Sequence, residues 1–198
     1  FCNKIKSDIR TSHIPVILLT ALTSEDHQIK SFKVGADAHI SKPFTPNLLL
    51  SRINNLLYAS KKAREKFITD QKEWQSQISS MDKNFIENAR HIVMENLQEY
   101  TFSVDVLAQE LNLSRSQLHR KLKATTNQST TEFIRYIRLA KAIDLMKENK
   151  YCLNDIAYNV GFNSPTYFTQ SFKKQFGISP STYMENFNNS RDKKDKYS

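Results

Sequence analysis

The first sixty residues alternate short apolar runs with amphipathic segments. Residues 14–20, IPVILLT, form one apolar run rich in β-branched residues, and 37–41, DAHIS, form a second. Such short runs predict strands, since a buried parallel strand needs apolar side chains on both faces. The segments that follow them, 24–35 and 45–57, carry helical spacing. This β-α-β-α order predicts part of a doubly wound α/β domain.

Helix-start signals support the second of these segments. Thr45 is predicted as the N-cap, and Pro46 falls at the first helical position, where its missing N–H costs nothing. Gly35 fits the left-handed position just past the preceding helix. Residues 1–60 are therefore predicted to form one α/β segment.

The rest of the chain has a wholly different periodicity. Residues 61–83 are polar and of mixed charge, which predicts a helical or loose linker, and the charged tail 188–198 is predicted to be disordered. Between them, 84–187 is predicted to be a second, purely helical domain. Its seven predicted helices span 84–98, 103–111, 115–125, 130–149, 153–160, 165–175 and 180–187. Ser114 and Ser164 are predicted N-caps, with Pro165 at the first helical position.

Composition agrees with a mainly α fold. The 198 residues include only 3 Gly and 5 Pro against 12 Phe and 8 Tyr, too few turn formers for an all-β sandwich. No run of about 18 apolar residues occurs, so no membrane contact is expected. The two cysteines are far apart, which suits a reducing compartment and predicts a cytoplasmic chain. A net charge of +9 favours an anionic partner such as nucleic acid.

The helical half contains an internal repeat. Leu107, Ala108, Leu111 and Leu113 match Ile156, Ala157, Val160 and Phe162, and Leu118, Leu122, Lys123 and Phe133 match Phe168, Phe172, Lys173 and Tyr183. Each copy reads as a short helix, a tight turn and a second helix, the pattern of a helix-turn-helix. Two copies are too few for a solenoid. An ordinary helical hairpin remains the alternative for either copy alone.

Charge distinguishes these copies from ordinary hairpins. Residues 114–123 carry Arg115, His119, Arg120, Lys121 and Lys123 without an acid. We interpret this acid-free stretch as an exposed face that docks near phosphates, since negative charge there would oppose docking. A merely solvated face usually mixes both signs, as 141–150 does.

The second copy, NDIAYNVGFNSPTYFTQSFKKQFGISPSTY, closely resembles the signature of the AraC/XylS-type DNA-binding domain. The resemblance covers about 84–187 and implies two helix-turn-helix motifs joined by the long helix 130–149. Twenty residues at about 1.5 Å each give about 30 Å, close to one turn of B-DNA, so one chain could reach two successive major grooves. In the first copy Asn127 replaces Gly and Thr130 replaces Pro; Asn tolerates a positive φ, and Thr is expected to cap.

The family pattern and the side opposite the buried stripe together select candidate contacts. Predicted base-contacting residues are Arg115, Ser116, His119, Arg120, Thr166 and Gln170. Arg can fork onto guanine, and Gln can pair with adenine. Predicted phosphate contacts are Ser114, Lys123, Asn163, Ser164 and Lys173. Tyr167 is a further base-contact candidate, and packing at the rim of the motif is its equal alternative.

The first sixty residues resemble the C-terminal half of a response-regulator receiver domain, a flavodoxin-like α/β fold. The matching features are Thr20 at a strand end, Gly35-Ala36-Asp37 and Lys42-Pro43-Phe44. The resemblance implies that Thr20 and Lys42 contact a phosphoryl group, that the Lys-Pro bond is cis, and that His39 stands at the position of an aromatic switch residue. The phosphoacceptor Asp and the acidic metal pair would lie upstream of this chain. We therefore expect no metal, no cofactor and no phosphorylation response from these residues alone.

The order receiver, linker, regulator resembles the cytoplasmic end of bacterial hybrid two-component systems. The resulting hypothesis is a sequence-specific DNA-binding transcriptional regulator, an activator, that acts as the output of a phosphorelay and is not an enzyme. A shorter response regulator with a separate kinase is the alternative arrangement. A non-specific nucleic-acid binder also fits these residues, as does a piece of a hybrid histidine kinase whose enzymatic part lies elsewhere. Further expected partners are RNA polymerase and a second copy of the full-length protein, whose anchor would lie in the inner membrane.

Overall fold

The computed structural model of the chain describes residues 1–21, 35–69 and 78–195, so the predicted helix at 24–35 falls almost entirely outside them. Two strands are present in these residues, β1 (Ile17–Thr20) and β2 (Ala38–Ser41). The helices are α1 (Cys2–Ser7), α2 (Pro46–Thr69), α3 (Ser80–Glu95), α4 (Val104–Glu110), α5 (Arg115–Thr126), α6 (Thr130–Glu148), α7 (Leu153–Asn159), α8 (Pro165–Phe176) and α9 (Pro180–Asp195). The mainly helical fold class is confirmed.

Both predicted strands pair in parallel. Ile17 faces Ala38 and Thr20 faces Ser41 in the register, so the two strands end at the same edge. The Lys42–Pro43 bond directly after β2 is cis, as the resemblance implies. The predicted cap is also present, since the backbone N–H of Leu48 donates to Thr45 Oγ1 over 3.3 Å at the start of α2.

Two helices run well past their predicted ends. Helix α2 continues from the predicted end at 57 to Thr69, across part of the predicted linker. Helix α9 continues from the predicted end at 187 to Asp195, through the part of the chain predicted to be a disordered tail, and 196–198 lie outside the described residues. A low apolar content did not stop this helix, because each further residue adds a hydrogen bond once the first turn has formed. No Gly or Pro interrupts 181–195.

The chain divides into two compact units. The first comprises residues 1–88 and 112–130, and the second comprises 89–111 and 131–198. In the first unit, β2 and α3 contribute buried apolar side chains, and α2 packs against α5. The domain boundaries given by the sequence remain a prediction. No helix in the described ranges is long and apolar enough to cross a membrane.

An aromatic-rich cluster lies in the core of the second unit. Phe162 and Phe168 meet edge to face with ring centroids 5.3 Å apart, and Phe172 contacts Phe176 at 4.7 Å. Rings in tilted or edge-on geometry contribute about 0.5–1.5 kcal/mol per pair beyond their area burial. The remaining buried members are Leu139, Ala142, Met146, Ile156, Ala157 and Val160. Helix α8 is therefore held against its unit by its buried stripe.

Candidate DNA interface

The first motif has the local structure of a helix-turn-helix. Helix α4 is capped by Ser103, whose side chain accepts from the N–H of Val106, and α5 begins with a capping box between Ser114 and Gln117. The turn between the helices contains Asn112 at φ 54°, a left-handed conformation that Asn adopts more readily than most residues. Asn127 ends α5 at φ 61°, as its substitution for Gly requires.

One expectation for this motif is wrong. Thr130 was expected to cap the long helix, but it is the first residue of α6, the position that Pro180 holds in α9. Its hydroxyl is buried and has no hydrogen-bond partner among the described residues. The repeat therefore places Thr130 inside the helix, one residue beyond the capping position.

Helix α5 presents its predicted base-contacting side chains to solvent. Arg115, Ser116, His119 and Arg120 are all exposed. Arg120 Nε donates to the carbonyl of Ser116 one turn earlier, at 3.4 Å. The two terminal nitrogens of this guanidinium lie outside that bond, and they are suited to a forked contact with a base edge.

Lys121 is the exception on this helix, and its inclusion in an exposed basic face is wrong. Its side chain is 0% exposed, and Nζ lies 2.6 Å from Asp82 Oδ1. Burial lowers the pKa of Lys121. At Asp82 burial acts to raise the pKa, but hydrogen bonds from Lys121, Ser12 and Ser79 outweigh it and hold the pKa below its ordinary value. Lys121 therefore contributes to the core of the first unit.

The predicted phosphate contacts of this motif have partners within the chain. Ser114 Oγ accepts from the N–H of Gln117 at 3.3 Å, and Ser114 N–H donates to Gln117 Oε1 at 2.9 Å. Capping uses a lone pair of the hydroxyl, so its O–H can still donate to a phosphate. Lys123 is exposed and donates to the carbonyl of Asn127 at 2.8 Å, with two further N–H donors on its ammonium.

The second motif repeats this design. Helix α7 is capped by the Cys152 sulfur, which accepts from the N–H of Asp155 at 3.4 Å. Ser164 caps α8 by accepting from the N–H of Tyr167 at 3.3 Å, and Pro165 occupies the first turn, as predicted. Gly177 ends α8 in the left-handed conformation, at φ 80°. Helices α5 and α8, which we call the reading helices, thus begin and end in the same way.

A close backbone approach distinguishes the turn of the second motif. Gly161 has φ +78°, and a Cβ at this position would lie 2.2 Å from the carbonyl oxygen of Leu97. The guanidinium of Arg138 would be 2.9 Å from the same Cβ, and its Nη2 donates to the carbonyl of Glu99 at 2.7 Å. Arg138 Nε is buried without a partner among the described residues. The glycine of the Gly-Phe turn is therefore required for both conformation and space.

Helix α8 also exposes its predicted contacts. Thr166 and Gln170 are exposed on the helix, as are Asn163 in the turn and Lys173 further along. The hydroxyl of Tyr167 accepts from Arg135 Nη1 at 3.4 Å, and this bond lowers the pKa of Tyr167. The ring also contacts Phe162 with centroids 5.8 Å apart. Tyr167 therefore contacts the rim of its motif, and the residue is 48% exposed, so its base contact stays a prediction.

Two of the three receiver-like residues, Thr20 and Lys42, lie close together in the structure. Thr20 and Lys42 lie at the same end of the sheet, and the backbone N–H of Lys42 donates to the carbonyl of Thr20 at 2.7 Å. The Lys42 side chain is exposed. His39 lies within β2, and its Nε2 is buried without a partner among the described residues. In the described ranges no group of three or more His, Cys, Asp or Glu could hold a metal ion.

Sequence reasoning missed Asp82, Asn112 and the burial of Lys121. The repeat contained the signals for two of them. At an offset of 49, Asn112 matches Gly161, and both adopt positive φ. At an offset of 50, Lys121 matches Ser171, and both are buried.

Two pairs of consecutive capped helices occur along the chain, and residues 107–186 match the family of helix-turn-helix domains. A crystal structure of a transcriptional regulator from Chromobacterium violaceum, described as an AraC-type DNA-binding-domain protein, covers 55% of this chain and 96% of its own. It has a TM-score of 0.51 and 22% identity, so this likeness shows the fold.

Two curated relatives extend the comparison in different directions. The HTH-type transcriptional regulator MtrA of Neisseria gonorrhoeae is 35% identical over 87 residues, which are 44% of this chain and 29% of that protein. Histidine kinase P4 of Formosa agariphila is 41% identical over 188 residues, which are 94% of this chain and 14% of that protein. The chain therefore spans under a third of the length of each.

Proposed function

We propose that this chain binds DNA sequence-specifically and acts as the transcription-regulating output of a larger signalling protein. The single observation that carries the proposal is the pair of capped reading helices, α5 and α8. Each has a buried stripe on one side and the predicted base-contacting residues exposed on the other. Side chains at the start of such a helix are those that reach base edges in a major groove.

The length of α6 supports reading by both motifs. Its 19 residues span about 28 Å at about 1.5 Å per residue, comparable with the roughly 34 Å turn of B-DNA. One copy of the chain is therefore proposed to contact two successive major-groove segments on one face of the duplex. Protection of one groove only would assign the second motif to another role.

Similarity along nearly the whole chain to a protein named a histidine kinase supports the larger context. We place the kinase activity, and any membrane anchor, in parts of the parent protein other than this chain. The separate response regulator is the alternative arrangement, and activation, RNA polymerase contact and dimerisation of the parent belong to the same proposal.

Selection of bound sequences from a random DNA pool with the full chain tests the proposal. A specific binder enriches one site, with affinity typically at least about 10³-fold above that for random DNA. A non-specific binder gives uniform affinity and a steep salt dependence without enrichment. That outcome would replace the proposal with the alternative of a general nucleic-acid binder.

Arg120→Ala is the sharpest test of the predicted base contacts. We expect it to weaken binding to the selected site by about 1–3 kcal/mol and to relax preference at one or two base pairs, because Arg reads guanine through two donors. The matched control is Arg90→Ala, an exposed arginine on α3, which should leave both quantities unchanged. An equal loss on random DNA would make Arg120 a phosphate contact.

A further inference from the structure

The buried side of the first reading helix, α5, is hydrogen-bonded to Ser12 of the N-terminal segment. Lys121 Nζ donates to Ser12 Oγ at 2.7 Å and to Asp82 Oδ1 at 2.6 Å, and Ser12 Oγ in turn donates to Asp82 Oδ1 at 2.8 Å. The Lys121 ammonium also lies 4.9 Å from the centre of the Phe85 ring. Ser12 and Asp82 are 4% and 5% exposed. A closed triangle of hydrogen bonds thus joins the buried Lys121–Asp82 ion pair to Ser12.

This triangle depends on all three members. A buried ammonium loses its hydration, so each missing acceptor costs more than a surface hydrogen bond contributes. Ser79 completes the other side of the carboxylate by donating to Asp82 Oδ2 at 2.8 Å. Ser12 is the one member contributed by residues 1–21, and its hydroxyl both accepts from the lysine and donates to the acid.

The segment that carries Ser12 is itself tied to the sheet. Lys6 Nζ donates to the carbonyls of Ser12 at 3.4 Å and Ile14 at 2.8 Å, and it pairs with Asp37 Oδ2 at 2.6 Å. The same Asp37 oxygen accepts from the backbone N–H of Val16 at 2.7 Å, and Asp37 immediately precedes β2. A continuous set of polar contacts therefore leads from the start of β2 to Lys121.

Lys121 immediately follows two of the predicted base-contacting residues, His119 and Arg120. The ammonium is buried while both of those side chains are exposed, so Lys121 anchors the helix from the side opposite its proposed DNA face. Even a displacement of α5 by about 1 Å would alter the fit of a forked Arg contact, because such contacts depend on the alignment of two donors with two acceptors.

We propose that the contacts Asp37–Lys6–Ser12–Lys121–Asp82 couple the receiver-like segment to the first reading helix and set how α5 engages DNA. The inference rests on the proposed function, because it assumes that α5 reads one half of a DNA site. Ser12 is then a positioning residue that acts on DNA through Lys121. Any rearrangement at the start of β2 would reach the first motif by this route.

The test compares Ser12→Ala with Ser7→Ala in the full chain. Ser7 is an exposed serine of the same segment and belongs to none of these contacts. Binding is measured on the selected site and on versions in which either half is scrambled. Arg120→Ala and Gln170→Ala assign each half to its motif. We expect Ser12→Ala to weaken binding about tenfold on DNA that keeps the half-site of the first motif, because a hydrogen bond to a charged group is lost. Binding to DNA that keeps only the half-site of the second motif should be unaffected.

A second background shows whether the effect passes through the buried charge. In the double variant Lys121→Met with Asp82→Leu, apolar side chains replace the ion pair, a change that proteins often tolerate. Adding Ser12→Ala there should change half-site affinity less than twofold, because the partners of its hydroxyl are absent.

The outcomes separate the two ideas. Specific binding by the unchanged chain, with Ser12→Ala equal to Ser7→Ala, would overturn the coupling and leave the proposed function intact. An equal loss on both half-sites would also overturn it, because it would indicate general destabilisation. If the unchanged chain selects no site, the proposed function fails first.

Discussion

At the scale of single residues, the turn of the second motif has the strictest requirement. Gly161 combines a positive φ with a backbone carbonyl where a Cβ would lie, and neither can be relieved by a side-chain rotation. The corresponding Asn112 adopts positive φ as well, so the repeat keeps the conformation while the residue changes. The sequence alone revealed the Gly-Phe turn, but the carbonyl of Leu97 could be placed only by the structure.

We predict that Gly161→Ala lowers the free energy of unfolding by at least about 2 kcal/mol. Left-handed backbone costs Ala about 1–2 kcal/mol, and the contact with the Leu97 carbonyl adds to that. Gly177→Ala is the matched control, because its φ is +80° but nothing lies within 4 Å of its Cβ. Urea unfolding of both variants measures the difference. Equal losses would mean that the close approach costs nothing.

Asp82 gives the first unit a pH dependence with a definite sign. Its pKa is lowered in the folded chain, so its stabilisation is present in full above the unfolded value of about 3.9 and is lost as pH falls through the folded pKa. Asp82→Asn should lower stability at pH 7 by about 3–5 kcal/mol, because Lys121 keeps its buried charge. On acidification below about pH 4, the Asp82→Asn variant should also lose less stability than the unchanged chain.

Denaturant unfolding at pH 7, 4 and 3 checks this prediction, with Asp144→Asn as the control. Asp144 is an exposed acid whose Oδ1 lies 4.0 Å from Lys147 Nζ. The same pH dependence for the Asp82→Asn variant and the unchanged chain would contradict this prediction.

At the scale of elements, the sequence predicted most helix starts because capping is local chemistry. Ser114, Ser164 and Thr45 each accept a hydrogen bond from an N–H three residues later, as their positions before a helical pattern indicate. Helix ends were harder to predict from the sequence. Nothing in α2 marks a stop at 57, and the charged composition of α9 concealed a helix that reaches Asp195. The partner of Lys121 could not be identified from the repeat, because Asp82 is 39 positions away.

Ser114→Asp separates the capping role from the predicted phosphate contact. Asp is as good an N-cap as Ser and favours the positive end of the helix dipole, so stability should stay within about 0.5 kcal/mol. If Ser114 contacts phosphate as predicted, the added negative charge should weaken DNA binding by about 1 kcal/mol or more, because it repels the phosphate backbone. Ser103→Asp, at the start of α4, is the control cap. Unchanged DNA affinity would remove Ser114 from the interface.

At the scale of the whole molecule, the predicted start of the regulator domain at 84 separates Asp82 from Lys121. The sequence showed where the helical pattern begins, but a buried charge pair across 39 positions leaves no periodic signal. A chain that begins at 84 also lacks Ser79, which donates to the same carboxylate. Hydrophobic periodicity therefore identified the fold of this part and missed one of its stabilising contacts.

We predict that residues 79–198 form a more stable protein than residues 84–198, by about 1–3 kcal/mol, because the shorter form loses hydrogen bonds to a charged group. Thermal and urea unfolding of the two forms measure the difference. Asp82→Ala in the longer form should reduce its stability to that of the shorter one. Equal stability of the two forms would show that the pair matters only when residues 1–78 are present.

The order in which the two compact units share the chain has a consequence for synthesis and proteolysis. The backbone leaves the first unit at residue 88, returns at 112 and leaves again at 130. No single peptide-bond cleavage can release either unit intact. A ribosome must also deliver residues up to 130 before the first unit has all its parts, by which time α4 of the second unit has already emerged. The two units are thus interleaved along the backbone, so their maturation is tied together from the moment the chain is made.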